Sequence, residues 1–211
     1  ERAGATEISY LELIEAATGV IRSSALEELA EDGGVSYVQV DSPVVPTADS
    51  APSASTPPSS GAGSPTPDPA PVPAVKTAPA APAPAPAPFS SLATLYPRID
   101  GAPTAWSRGF TGAGIGIAVI DSGVSAAADL DDRVVQVTLP KSTTATTDNV
   151  GHGTLVAGVA AGHSADDRYT GIAPGATVFS LNVSRPTGVF TSDIVTSLQW
   201  VIDNRLRNNI R

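Results

Sequence analysis

Two histidines occur in the 211 residues. One of them, His152, sits between glycines in NVGHGTLVAGVAAG, the stretch from Asn149 to Gly162. The small apolar residues that follow suit a buried helix. His152 would open that helix, where the first-turn N–H groups lack partners and a ring lies at a cleft edge. A helix start disfavours the imidazolium, so an imidazole there works as a proton carrier when a carboxylate stands beside it. Asp121 is the natural carboxylate: it follows the apolar run GIGIAVI, Gly114 to Ile120, and precedes Ser122-Gly123. Taken singly, each residue has an ordinary role, the aspartate as the start of a turn and the histidine as a cap or surface group. Taken as a pair, they are a proton-carrying imidazole and the carboxylate it needs.

The elements around them are those that would hold such a pair. GIGIAVI is β-branched almost throughout, as in a strand buried on both faces of a parallel sheet. ATVFSLNV, Ala176 to Val183, reads as a second strand. TSDIVTSLQWVIDNRLRNN reads as an amphipathic helix capped by Thr191 or Ser192, with Asp193 in its first turn and a stripe of Ile194, Leu198, Val201, Ile202 and Leu206. Strand, helix, strand, helix predicts an α/β doubly wound parallel sheet with helices on both faces, and in such sheets sites form at the carboxyl ends of strands. Asp121 stands at one of those ends.

Composition divides the chain into three regions. All seven glutamates lie at or before Glu31, and most of the 20 prolines fall between Pro43 and Pro88. Residues 1–42 hold most of the net charge of −9, and SALEELAEDGG within them predicts a short helix with Ser24 as N-cap and Glu27 completing a capping box. VSYVQVD then alternates as a strand, Val35 to Val40, and ISYLELIEAATGVIRSS fits helix or strand equally. Residues 43–88 are a Pro/Ala-rich linker whose composition cannot bury enough apolar surface to order itself. Its closing Ala-Pro run favours a semi-rigid polyproline II spacer. Residues 89–211 have globular texture. No basic stripe exists, which excludes the footprint of a nucleic-acid binder. No apolar run approaches the length of a membrane span. With no cysteine, disulfides and thiolate metal sites are excluded, while the redox compartment stays open. The absence of methionine and the helical pattern running to Arg211 suggest a fragment open at both ends.

The motifs converge on one resemblance. GIGIAVIDSGV resembles the aspartate motif of the subtilisin-like serine proteases, GHGTLVAGVAAG resembles their histidine motif, and GIAPGATVFSLNV resembles the segment that follows in that family. The resemblance covers roughly residues 106–201, less than half of a whole catalytic domain of that kind. It implies that Asp121 orients and supports the imidazole and that His152 is general base, then general acid. It also implies a serine nucleophile in a Gly-Thr-Ser context and an oxyanion asparagine further downstream, neither of which is in this sequence. Ser122, in the Asp-Ser-Gly turn, and Ser164, in a loop, are not in nucleophile-type turns, so the fragment alone is expected to be inactive. The resemblance further implies a secreted or cell-envelope zymogen acting on polypeptides. Residues 1–42 would be a partial α+β propeptide-like segment that packs on the enzyme as its own partner.

The same resemblance places two substrate-binding residues: Asp148, near the substrate-facing loop, and Gly188, which would line a bound peptide through its main chain. Leu155 departs from the family's second histidine and is expected to pack in the helix. His163 is expected to be solvent-exposed. Asp129, Asp131 and Asp132 invite structural calcium, but their spacing lacks a calcium-loop pattern, so no metal or other cofactor is assigned. Asn182-Val183-Ser184 is a glycosylation triplet inside an expected strand and reads as a chance match. Two other readings stand beside this one. A non-catalytic surface or binding protein could keep the fold as scaffold. More remotely, Asp-Ser-Gly also resembles the turn of an aspartic protease, but that chemistry needs a second such turn and has no use for His152.

Overall fold

The computed structural model describes residues 5–44, 92–139 and 147–211. Its strands are β1 (Thr6–Leu11), β2 (Ala16–Val20), β3 (Pro43–Val44), β4 (Gly116–Asp121), β5 (Val134–Val137), β6 (Thr177–Asn182), β7 (Ser184–Arg185) and β8 (Gly188–Phe190). Its α-helices are α1 (Leu26–Ala30), α2 (Tyr96–Ile99), α3 (Ala102–Trp106), α4 (His152–Ala161) and α5 (Thr191–Asn204). Beyond Val44 the composition-defined linker lies outside the described residues. Pro43 and Val44, which composition groups with that linker, form β3.

The centre is a parallel sheet in the order β4-β6-β5. Period-2 alternation sends its side chains to two cores. Ile117 and Val119 of β4 join Val178, Ala157 and Ala161 on the α4 face, and Ala118 and Ile120 join Phe179, Leu181, Trp200 and Val201 on the α5 face. A β-branched run such as Ile117 to Ile120 suits a strand that must satisfy both faces at once. The doubly wound architecture expected from the sequence is therefore present, with one helix on each side. A smaller cluster of Leu92, Ala102 and Trp106 packs under Ile172, whose carbonyl accepts a 2.9 Å bond from Trp106 Nε1.

α4 reaches the sheet closely because its inward residues are small. Ala157 and Ala161 are fully buried. At Gly153 any Cβ would come within 2.1 Å of the Gly123 carbonyl oxygen, so only glycine allows this approach. Leu155 does not pack in this helix as expected: it is 66% exposed. It points away from the sheet, while the alanines and Gly153 take the inner face.

α5 also corrects the sequence reading. Neither Thr191 nor Ser192 is the N-cap, a position held by Phe190 without a side-chain cap bond. The inward face is Asp193, Ser197, Trp200 and Val201, whereas Leu198 and Ile202 are largely exposed and Leu206 lies beyond the helix. Small Ser197, its Oγ bonded back to the Asp193 carbonyl, lets the helix sit near the sheet. The largest aliphatic residues thus mark the flank of the buried face, not its centre.

In the front segment the ambiguous stretch is an antiparallel hairpin, β1 with β2, containing one register shift between Thr6 and Ser9. Ser24 does not cap α1. It lies inside a 3-10 turn, Ser23–Ala25, and Ala25 occupies the cap position of a helix only five residues long. The strand expected over Val35 to Val40 is absent. Those residues are mostly exposed, and pairing begins only at Pro43, which aligns with Phe190 while Val44 aligns with Val189. Alternation alone does not make a strand where no partner edge lies alongside. β1 and the turn after it lie against α5, and Leu11 is the segment's one fully buried hydrophobic residue among those described.

Candidate active site

Asp121 is the last residue of β4, in register with Asn182 of the central strand. Its main-chain carbonyl accepts from Val183 N, and its Oδ1 accepts from Ser122 N at 2.7 Å. The strand end and the following turn therefore fix its carboxylate from both sides. His152 is the first residue of α4, after Gly151 in the left-handed region at φ +89°. Its Nδ1 lies 2.8 Å from each oxygen of the Asp121 carboxylate. The pair expected from sequence is thus brought together, with the imidazole 65% exposed and the carboxylate 20% exposed. The hydrogen bond from Asp121, followed by its charge, raises the His152 pKa above its ordinary value. A proton held at Nδ1 by the carboxylate leaves Nε2 with the lone pair, the arrangement a general base needs.

Asp148 is the hub that aims this pair. It accepts from Ser122 Oγ, from the main-chain N–H groups of Val150, Gly151 and Thr154, and from Thr154 Oγ1, at 2.7–3.0 Å. Its carboxylate therefore meets the amino end of α4, where the free N–H groups and the helix dipole favour negative charge. Partial burial pushes this carboxyl upward. The hydrogen bonds from Thr154, Gly151 and Ser122 together outweigh that effect and hold it well below the usual carboxylate range. Ser122 Oγ in turn accepts from Gly153 N, and Ser125 bridges the two loops by donating its N–H to Thr154 Oγ1 and accepting from Asp148 N. The sequence reading missed Ser122, Ser125 and Thr154 in this role. The only available signal was a cluster of short hydroxyl side chains flanking both motifs.

Gly188 opens β8 at φ +114°, and a Cβ there would come 3.1 Å from the Pro43 ring. β8 is the middle strand of a small antiparallel sheet, with β7 on one side and β3 on the other. An extended segment of this same chain thus pairs along the strand that Gly188 opens. Asp41, just before it, accepts from both the N–H and the Oγ of Ser192 in the first turn of α5.

The remaining candidates take other roles. Ser122 and Ser164 are both buried, their hydroxyls bonded to Asp148 and Asp166. His163 is not solvent-exposed as expected. It is half-buried, 2.5 Å from Asp167 through Nε2, because its main chain is pinned to the Asp129 carbonyl beneath the loop. Asn182 is buried in β6 and bonded to Ser184 N, consistent with the triplet as a chance match. Among the described residues no group of three or more His, Asp or Glu side chains could hold a metal, and no helix is long and apolar enough to cross a membrane.

A strand-end carboxylate thus stands beside a helix-opening imidazole, on a parallel sheet with helices on both faces. Residues 112–210 match the subtilase family. Alkaline elastase YaB from Bacillus sp. (strain YaB) is 38% identical over 104 residues, covering 49% of this chain and 27% of its own length. Subtilisin E from Bacillus subtilis (strain 168) is 36% identical over 107 residues, 50% of this chain and 28% of its own. Subtilisin Savinase from Lederbergia lenta is 36% identical over 104 residues, 49% of this chain and 38% of its own. The chain therefore spans well under half the length of these relatives. Among solved structures, the MycP3 protease from the type VII (ESX-3) secretion system aligns with a TM-score of 0.45 at 26% identity, over 56% of this chain and 36% of that one.

Proposed function

We propose that the whole protein is a serine endopeptidase in which Asp121 and His152 are two members of an Asp-His-Ser triad. The serine lies in sequence outside these 211 residues. His152 Nε2 removes the proton from the serine hydroxyl as its oxygen attacks a peptide carbonyl, then returns that proton to the departing amine. Asp121 keeps the Nδ1–H tautomer in place and stabilises the imidazolium formed between those steps. The observation that carries the reading is the 2.8 Å contact of Nδ1 with both carboxylate oxygens.

Residues 5–44 support the propeptide-like part of the proposal. They lie against α5 and add a strand to β8, the manner in which a substrate backbone would be held. On this account the protein is a zymogen of the secreted or envelope type, and polypeptides are its substrates. No cofactor enters the scheme.

Casein digestion by the full-length protein tests it. The expected result is digestion that is abolished by His152→Ala and blocked by a phosphonylating reagent selective for active serines. Digestion unaffected by His152→Ala overturns the assignment, and absence of digestion in the wild type favours a non-catalytic scaffold.

A further inference from the structure

β7 and β8 are short, their sheet's third strand is only the two-residue β3, and so small a sheet holds no fixed position by itself. Yet its place matters, because β7 begins two residues after Asn182, the register partner of Asp121. Arg185 supplies the missing constraint. From β7 its guanidinium pairs with Asp193 in the first turn of α5, and it lies 5.1 Å from the centre of the Phe190 ring at the end of β8. One side chain thus ties down both the β8 terminus and the helix that follows it.

Asp193 is only 8% exposed. Its Oδ2 and the Arg185 Nε are both buried without a hydrogen-bond partner. The pair is therefore made through a single nitrogen and a single oxygen, not as the two-pronged fork that maximises arginine–carboxylate stability. A pair kept inside the protein in this half-satisfied form is poorly explained as a source of stability, since desolvation offsets much of the attraction.

The geometry points to Arg185 and Asp193 as positioning residues for the peptide-binding strand: they set where β8 stands relative to the Asp121–His152 pair, and so how well an extended substrate is held. This rests on the reading of β8 given under Proposed function. Neither residue is placed in contact with the reacting atoms.

The test compares the full-length wild type with Arg185→Lys and with the paired apolar change Arg185→Met plus Asp193→Leu. The apolar pair guards against an unfolded single variant by leaving no charge buried alone. Lysine keeps the charge but loses the guanidinium that lies over the Phe190 ring. With a peptide long enough to reach β8, KM is expected to rise about ten- to a hundredfold while kcat changes little. A small ester that contacts only the reacting centre should be hydrolysed at the wild-type rate. Amide hydrogen exchange, which needs no turnover, should accelerate in β8 and stay unchanged in β4 and α4. Equal losses on both substrates, or unaltered exchange in β8, overturn the inference. A wild type inactive on both substrates refutes the protease reading instead, and exchange in β8 then decides the role of the pair.

Discussion

The Asp121 carboxylate meets His152 Nδ1 with both oxygens at 2.8 Å, and the peptide N–H of Ser122 holds one of those oxygens from the opposite side. The imidazole is fixed at one nitrogen and open at the other. Its geometry comes from a strand end and a helix start, elements whose main-chain bonds leave little freedom to either side chain.

This relationship sets a pH dependence. The Asp121 hydrogen bond, then its charge, places the folded pKa of His152 above its ordinary 6.5. A group raised on folding stabilises the protein fully below its unfolded value, and that contribution is lost as pH rises through the folded value. Catalysis runs the other way, since the base must be neutral. In the full-length protein kcat/KM should rise with pH and level off above the raised value, and a pH–rate profile will show the limb on the alkaline side of 6.5.

Gly153→Ala should disrupt the site from beneath. The new methyl would lie 2.1 Å from Gly123 O and 3.1 Å from Asp121 Cβ, forcing α4 away from the strand end. The expected cost is about 3 kcal/mol, read from chemical denaturation. Gly151→Ala meets no atoms but needs a left-handed backbone at φ +89°, so its smaller loss should be about 1 kcal/mol.

Much of this arrangement was legible in the sequence because it depends on local chemistry. A run from Ile117 to Ile120 with no polar residue calls for a doubly covered strand, and glycines on both sides of His152 call for a tight helix entrance. What stayed hidden depends on partners distant in sequence. VSYVQVD alternates like a strand, yet only Pro43 and Val44 meet an edge. Ser24 stands in good capping context, but a 3-10 turn comes first. α5 buries Asp193 and Ser197 while Leu198 faces outward, a choice made by the β7–β8 ribbon and the sheet, not by helical periodicity. Asp148 carries no sign in sequence that five donors converge on it.

That convergence predicts the effect of Asp148→Ala. Loss of its bonds to Ser122, Thr154 and the Val150 and Gly151 N–H groups should cost about 2 kcal/mol, the upper end for a helix cap. Because the folded carboxyl sits below its ordinary 3.8, its contribution is present above that value and fades as pH falls through the folded one. Denaturation curves of wild type and variant should therefore converge in strong acid and separate at neutral pH.

Asp41→Ala should loosen the front segment without unfolding the sheet. Its two bonds to Ser192 are exposed, so the expected loss is about 1 kcal/mol. Ser192→Ala should have a similar effect, and the double variant little more than either, because both remove one interaction. Limited proteolysis that releases residues 5–44 faster in each variant is the check.

The most direct test follows His152 itself by NMR titration of its ring, in this chain and in Asp121→Asn. The account predicts an Nδ1–H tautomer and a pKa above 6.5 in the wild type, with a fall toward that ordinary value in the variant. A His152 titration that is identical with and without the Asp121 charge would contradict it.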